Sequence, residues 1–120
     1  MNFDSAQPIW RQLVVEFTRR IIVGEWQPGM KIPSTRELAL EYKVNPNTVQ
    51  RALAELDRAG TTKSERTSGR FVSDEQHAIE TLRGQSAQEI IDDAITRLNS
   101  IRVKRDDAVE LLKHRWSTHD

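Results

Sequence analysis

Cysteine is absent from the 120 residues, which excludes disulfides and thiolate metal sites and fits a reducing compartment. Net charge is absent too. Eighteen Lys and Arg balance eighteen Asp and Glu, so any nucleic-acid binding must come from where the charges sit. No run approaches the ~18 consecutive apolar residues of a membrane span. Met1-Asn2-Phe3-Asp4 lacks the basic-then-apolar start of a secretory signal, so a cytoplasmic protein without a membrane partner is expected. Glycine-rich phosphate loops, internal repeats and low-complexity runs are also missing. His77, His114 and His119 are scattered, without the four-residue helical step of a zinc pair. Asp92-Asp93 and Asp106-Asp107 are adjacent, so their side chains diverge on a helix instead of converging on a substrate. The chain is therefore expected to be no enzyme and to hold neither metal nor cofactor.

Helix and turn signals are dense. Pro8 can open a first helix, in which Ile9, Leu13, Phe17 and Ile21 recur every four residues, with Trp10 and Val14 widening the stripe. Gly24 supplies a stop, Pro28-Gly29 a tight turn and Pro33 an extended approach to the next helix. Ser34-Thr35-Arg36-Glu37 is a capping box, and Leu38, Ala39 and Tyr42 face inward from the short helix it starts. Asn45 can cap a third helix with Pro46 at its first position; Val49, Ala52, Leu53 and Leu56 form its buried stripe, and Gly60 ends it. Two helices joined so closely read as a helix-turn-helix. Thr61 to Arg66, the turn Thr67-Ser68-Gly69 and the strand Arg70-Phe71-Val72 then read as a hairpin, making the unit a winged helix. The predicted fold is mainly α with a small β-hairpin wing.

From there the pattern is helical only. Ser73-Asp74-Glu75-Gln76 resembles a capping box, Gly84 interrupts, and Ser86-Ala87-Gln88-Glu89 offers another box. Ala87, Ile90, Ile91, Ala94, Ile95, Leu98 and Ile101 form an apolar seam at three- and four-residue steps; Ala108, Val109, Leu112 and Trp116 mark a last helix. Residues 1–76 are expected to be the winged helix-turn-helix and 77–120 a two- or three-helix dimerisation region. The seam could instead fold back on the winged domain, but a short appendage has little chain of its own to cover it. Trp10 and Trp26 are expected in the winged-domain core, and Trp116 capping the tail helices.

The third helix carries the chemistry. Opposite Val49 and Leu56 lie Asn47, Gln50, Arg51 and Arg58, with Ala54 among them. Asn and Gln can bond adenine through paired donor and acceptor contacts, Arg guanine, and the second helix of a helix-turn-helix is where bases are read. An ordinary solvated helix face would look similar; the surroundings favour DNA. Arg36 sits in the preceding helix's first turn, placed to meet a phosphate, and Lys63, Arg66 and Arg70 lie on the hairpin. From Lys31 to Arg70 the basic residues Lys31, Arg36, Lys43, Arg51, Arg58, Lys63, Arg66 and Arg70 exceed the acids Glu37, Glu41, Glu55, Asp57 and Glu65 by three.

Pro8-Ile9-Trp10-Arg11-Gln12, Gly24-Glu25-Trp26-Gln27-Pro28-Gly29, Ile32-Pro33-Ser34-Thr35-Arg36-Glu37-Leu38-Ala39 and Val44-Asn45-Pro46-Asn47-Thr48-Val49-Gln50-Arg51-Ala52 together resemble the GntR family of bacterial transcriptional regulators, over about residues 8 to 73. The Val-Asn-Pro-Asn-Thr-Val run and the short C-terminal region resemble its YtrA-like subfamily, in which two dimerising helices follow the winged helix. The resemblance implies DNA contacts from Arg36, Asn45, Asn47, Thr48, Gln50 and Arg51, and from the wing around Ser68-Gly69-Arg70. The chain departs from the family at Thr61-Thr62, where Leu-Ile is usual. It departs again at Thr67-Ser68-Gly69-Arg70-Phe71-Val72, where one wing glycine is lost and Arg70 replaces a threonine. Arg102 and Lys104 fall where relatives tend to carry Gly and Ser.

The expectation is a sequence-specific regulator of transcription, a homodimeric repressor on an inverted-repeat operator of double-stranded DNA, with dimer contacts from Ala87, Ile90, Ile91, Ala94, Ile95, Leu98, Val109, Leu112 and Trp116. A small-molecule effector stays open as a further partner. The alternative is a helical module whose winged helix binds protein; the polar third-helix face lacks the apolar anchors such a surface uses.

Overall fold

The computed structural model describes residues 1–119. Its elements are α1 (Ile9–Ile22), α2 (Thr35–Tyr42), α3 (Pro46–Arg58), β1 (Thr62–Glu65), β2 (Gly69–Val72), α4 (Ala78–Ser100) and α5 (Arg105–His119). The predicted winged helix-turn-helix is present. By contacts the described chain divides into Met1–Arg83 and a second unit beginning at Gly84; Ile79 and Leu82 in the first turns of α4 pack on the winged-helix core.

In the first unit, Leu13, Phe17 and Ile21 of α1 are buried against Leu38 of α2 and Val49, Leu53 and Leu56 of α3. Trp26 fills the same core, its ring 5.3 Å from Phe17, while Tyr42 meets Phe17 edge-on at 5.5 Å. Pro8 is the cap of α1 and not its first residue: its carbonyl accepts from the Arg11 and Gln12 amides. Ile9, expected in the stripe, lies in that open first turn and stays exposed.

Both central caps form as read. The Glu37 amide donates to Ser34 Oγ (3.1 Å) and the Ser34 amide donates to Glu37 Oε1 (3.2 Å). The Asn47 amide donates to Asn45 Oδ1 (2.7 Å), with Pro46 opening α3. Between them Lys43 takes a left-handed φ of 57°, closing the turn without glycine.

β1 and β2 pair antiparallel from Thr62 with Val72 to Glu65 with Gly69. The far edge of β2 is covered by the segment after α1: the Ile32 amide donates to the Arg70 carbonyl (3.0 Å) and the Val72 amide to that of Met30 (2.9 Å). Thr61 and Thr62, where an apolar pair was the family's habit, are nonetheless buried.

The helical region after the wing corrects two expectations. Gly84 does not interrupt: α4 runs through it and through Ser86, so the tail holds two helices. An interior glycine costs about 1 kcal/mol relative to alanine, less than abandoning a turn of backbone hydrogen bonds. Ser73 caps no helix either; its Oγ accepts from the Glu75 amide, His77 turns to φ 68°, and α4 starts at Ala78. α4 ends in a Schellman turn, with the Val103 amide donating to the Leu98 carbonyl (3.1 Å) and Arg102 to that of Asn99 (3.0 Å). Arg102 therefore occupies the left-handed position, φ 61°, that glycine would hold without strain. Ile90, Ile91, Ile95, Ile101, Val109 and Leu112 are exposed in the single chain, and Trp116, expected to cap the tail, is exposed as well.

Candidate nucleic-acid interface

α3 follows α2 after a three-residue turn and shows one polar face. Asn47, Gln50, Arg51, Ala54 and Arg58 are exposed, Thr48 is half-buried, and the opposite stripe is core. A helix in this setting has the width of the DNA major groove. Arg36 is exposed in the first turn of α2, and Lys63, Arg66 and Ser68 are exposed around the hairpin tip.

The side chains on that surface are not equally free. Asn45 spends its carbonyl oxygen on the cap, leaving only its amide group to donate outward. Gln50 Oε1 accepts from Thr35 Oγ1 (3.1 Å), so α2 orients it. The Arg51 guanidinium lies 4.3 Å from the centre of the Trp10 ring, with Arg11 at 5.4 Å from the same ring. A stacked guanidinium keeps its N–H edge available while losing freedom to swing. Trp10 thus serves as a platform at the rim of the core. Arg58 is paired with Glu55 (2.7 Å), and Lys63 lies 3.8 Å from Glu65. Arg36 and Arg66 make no ion pair among the described residues.

Arg70 differs from the wing cation it was expected to be. Its guanidinium turns inward, with Nη2 and Nε donating to Asp57 Oδ2 at 3.1 and 3.2 Å. Its side chain is only 16% exposed. Thr62 Oγ1 and Ser64 Oγ donate to the same carboxylate (2.5 and 2.7 Å). Partial burial pulls the Asp57 carboxyl up, but hydrogen bonds from Arg70, Thr62 and Ser64 outweigh it and hold it below its ordinary value.

Sequence reasoning missed Thr35, Asp57 and Lys31, and assigned Trp10 to the core alone. Lys31 crosses the wing tip at Gly69: a Cβ there would lie 2.6 Å from Lys31 Cε, and Gly69 has φ 113°. None of these pairings has a local sequence signal. Lys31 forms the bridge to Phe71 that ties the segment before α2 to the hairpin.

Residues 11–72 match the family described as bacterial regulatory proteins, gntR family. The uncharacterized HTH-type transcriptional regulator YhcF of Bacillus subtilis is 30% identical over 112 residues, 93% of either chain. The HTH-type transcriptional repressor YtrA of the same organism is 39% identical over 70 residues, 58% of this chain and 54% of the repressor. A solved GntR family transcriptional regulator from Listeria monocytogenes superposes with a TM-score of 0.83 at 29% identity, over 93% of this chain and 98% of its own. A crystal structure of AraR(DBD) in complex with an operator superposes at 0.55 with 27% identity, over 61% of this chain and 88% of its own.

Proposed function

Because the chain belongs to the gntR family of bacterial regulatory proteins, DNA-binding regulators of transcription, and to its YtrA-like group, we propose that it represses transcription in the cytoplasm as a homodimer on an inverted-repeat operator. The observation that carries this reading is the exposed polar face of α3, Asn47, Gln50 and Arg51, on a capped helix-turn-helix flanked by a wing. The repressor YtrA and the operator complex of AraR(DBD) support the direction of control and the kind of DNA. No helix among the described residues is long and apolar enough to cross a membrane.

In this reading α3 enters the major groove. Asn47, Gln50 and Arg51 reach base edges, with Thr48 and the Asn45 amide at the groove's rim. Arg36 and Arg66, with Lys63, meet phosphates; Ser68 and Gly69 bring the wing tip to the backbone. Arg70 is left out of the contacts, since its guanidinium is committed to Asp57. The dimer is supported by the exposed seam of α4 and α5, which the single chain leaves facing water. A two-fold pair would place two copies of α3 on half-sites about one helical turn apart or a multiple of it.

The test is selection of bound duplexes from random DNA. Two inverted half-sites should be enriched, with centres separated by about 10 base pairs or a multiple. An unenriched pool, with binding to mixed duplex no tighter than that of a neutral control protein, would refute the proposal.

A further inference from the structure

Asp57 is the one carboxylate on α3 that faces the hairpin, and both strands of the wing converge on it. Thr62 and Ser64 come from β1 and Arg70 from β2. The hairpin has four-residue strands, and a two-stranded hairpin alone is marginally stable at best; backbone bonds to Met30 and Ile32 tie its β2 edge, and Asp57 ties both strands to α3. Its only buried apolar strand residue is Val72, and the position after Gly60 carries threonines where an apolar anchor would otherwise hold β1 to the helix.

We propose that Asp57 is a positioning residue for DNA binding: through its hydrogen bonds to Thr62, Ser64 and Arg70 it fixes the wing against the recognition helix, and Arg70 acts as a strut instead of a phosphate contact. The inference rests on the DNA-binding reading above and adds which residues set the wing's angle. Thr62 accounts for the departure from an apolar residue, because its buried hydroxyl donates to Asp57 where a leucine or isoleucine would have packed. Arg70 accounts for the departure at the wing tip, because a threonine in its place could not span to α3 with two parallel donors.

The proposal makes a sign prediction that plain electrostatics reverses. Asp57→Asn removes a negative charge beside the DNA-binding surface and releases a cation, so charge alone would tighten binding. A strut predicts the opposite. Operator affinity should fall about tenfold, within the range that positional coupling supplies. Amide hydrogen exchange of residues 62–72 should quicken while α1 and α3 keep their protection. Arg70→Gln should lower affinity similarly yet leave the slope of log K against log salt unchanged, and the double variant should be no weaker than either single one.

If Asp57→Asn binds as wild type or tighter, the strut is refuted. If Arg70→Gln flattens the salt slope by about 0.9, residue 70 is a phosphate contact and the strut is equally refuted. The exchange measurement needs no DNA, so it separates failure of the strut from failure of the DNA-binding reading. Should Asp57→Asn fail to fold, Arg70→Gln still decides through the slope.

Discussion

Ile91→Asp is the sharpest test of the proposed dimer. Ile91 is 53% exposed and Ile95 50% exposed in the single chain, and Ile90, Ile101, Leu112 and Trp116 are more exposed still. Fully burying such a side chain contributes about 1.5–3 kcal/mol, so each retains about 1 kcal/mol that only a partner could realise. Two copies of the seam then hold about 12 kcal/mol, against an association cost of about 4–15 kcal/mol. The surplus is small. A carboxylate at residue 91 forfeits about 2 kcal/mol over the pair and adds a desolvation penalty of several kcal/mol per ion.

The dimer should dissociate by a factor of about a thousand or more. In sedimentation, wild type should run at twice 13.8 kDa and the variant at once that mass. Operator affinity should drop by about 10²–10⁴ as linked binding is lost. The first unit should melt as before, since Ile91 lies outside it. A wild type that is monomeric at concentrations saturating its operator would refute the reasoning. Outright unfolding of the variant would show that the seam is intramolecular core.

Arg36→Ala should weaken operator and random duplex alike and reduce the salt slope by about 0.9 per site, whereas Asn47→Ala should cost about 1–3 kcal/mol on the operator and relax preference at one position; titrations at several salt concentrations distinguish them. Trp10→Leu should reduce operator affinity through Arg51, with Phe at position 10 restoring part of it, and should add nothing in an Arg51→Ala background; an equal loss in both backgrounds would make Trp10 merely structural. Asp57 titrates below its ordinary value of 3.8, so its contribution to holding the wing is complete above that value and is lost as pH falls through the lowered one. The shifts of the Thr62 and Ser64 amides that follow Asp57 should therefore have a midpoint below 3.8, and a midpoint above 3.8 would contradict the hydrogen-bond geometry.

The fold was legible wherever a signal was local. Ser34 with Glu37, Asn45 with Pro46, and Gly24 each satisfy or release backbone groups within a few residues, so sequence order is enough to read them. Gly84 and Ser73 misled because a glycine or a cap motif states only that a helix can stop or begin there. Whether one does depends on the alternative, and a continuing helix gains a hydrogen bond per residue while an interior glycine costs about 1 kcal/mol. The turn at Arg102 was illegible for the opposite reason. Its left-handed backbone is imposed by the Schellman bonds to Leu98 and Asn99, with no glycine to announce it.

At the interface, position was readable and partnership was not. The face of α3 follows from helical periodicity, so Asn47, Gln50 and Arg51 fell where the fold puts them. Gln50 and Arg51 are oriented by Thr35 and Trp10, 15 and 41 residues away, which no spacing rule reaches. A charge count makes the same error in another form. It treats every arginine from residue 31 to 70 as available to phosphate, although Arg58 answers Glu55 and Arg70 answers Asp57. Pairing leaves the net charge unchanged but sorts the cations by what they can do. Arg36 and Arg66, unpaired among the described residues, are the cations left to meet phosphates in the proposed complex, while Arg70 is engaged by Asp57. In a chain with no net charge, affinity for DNA would then depend on how the acids are placed: Asp57 is turned to the hairpin and engaged by Arg70, and Glu55 is engaged by Arg58, so neither is left as an unpaired charge to repel phosphates.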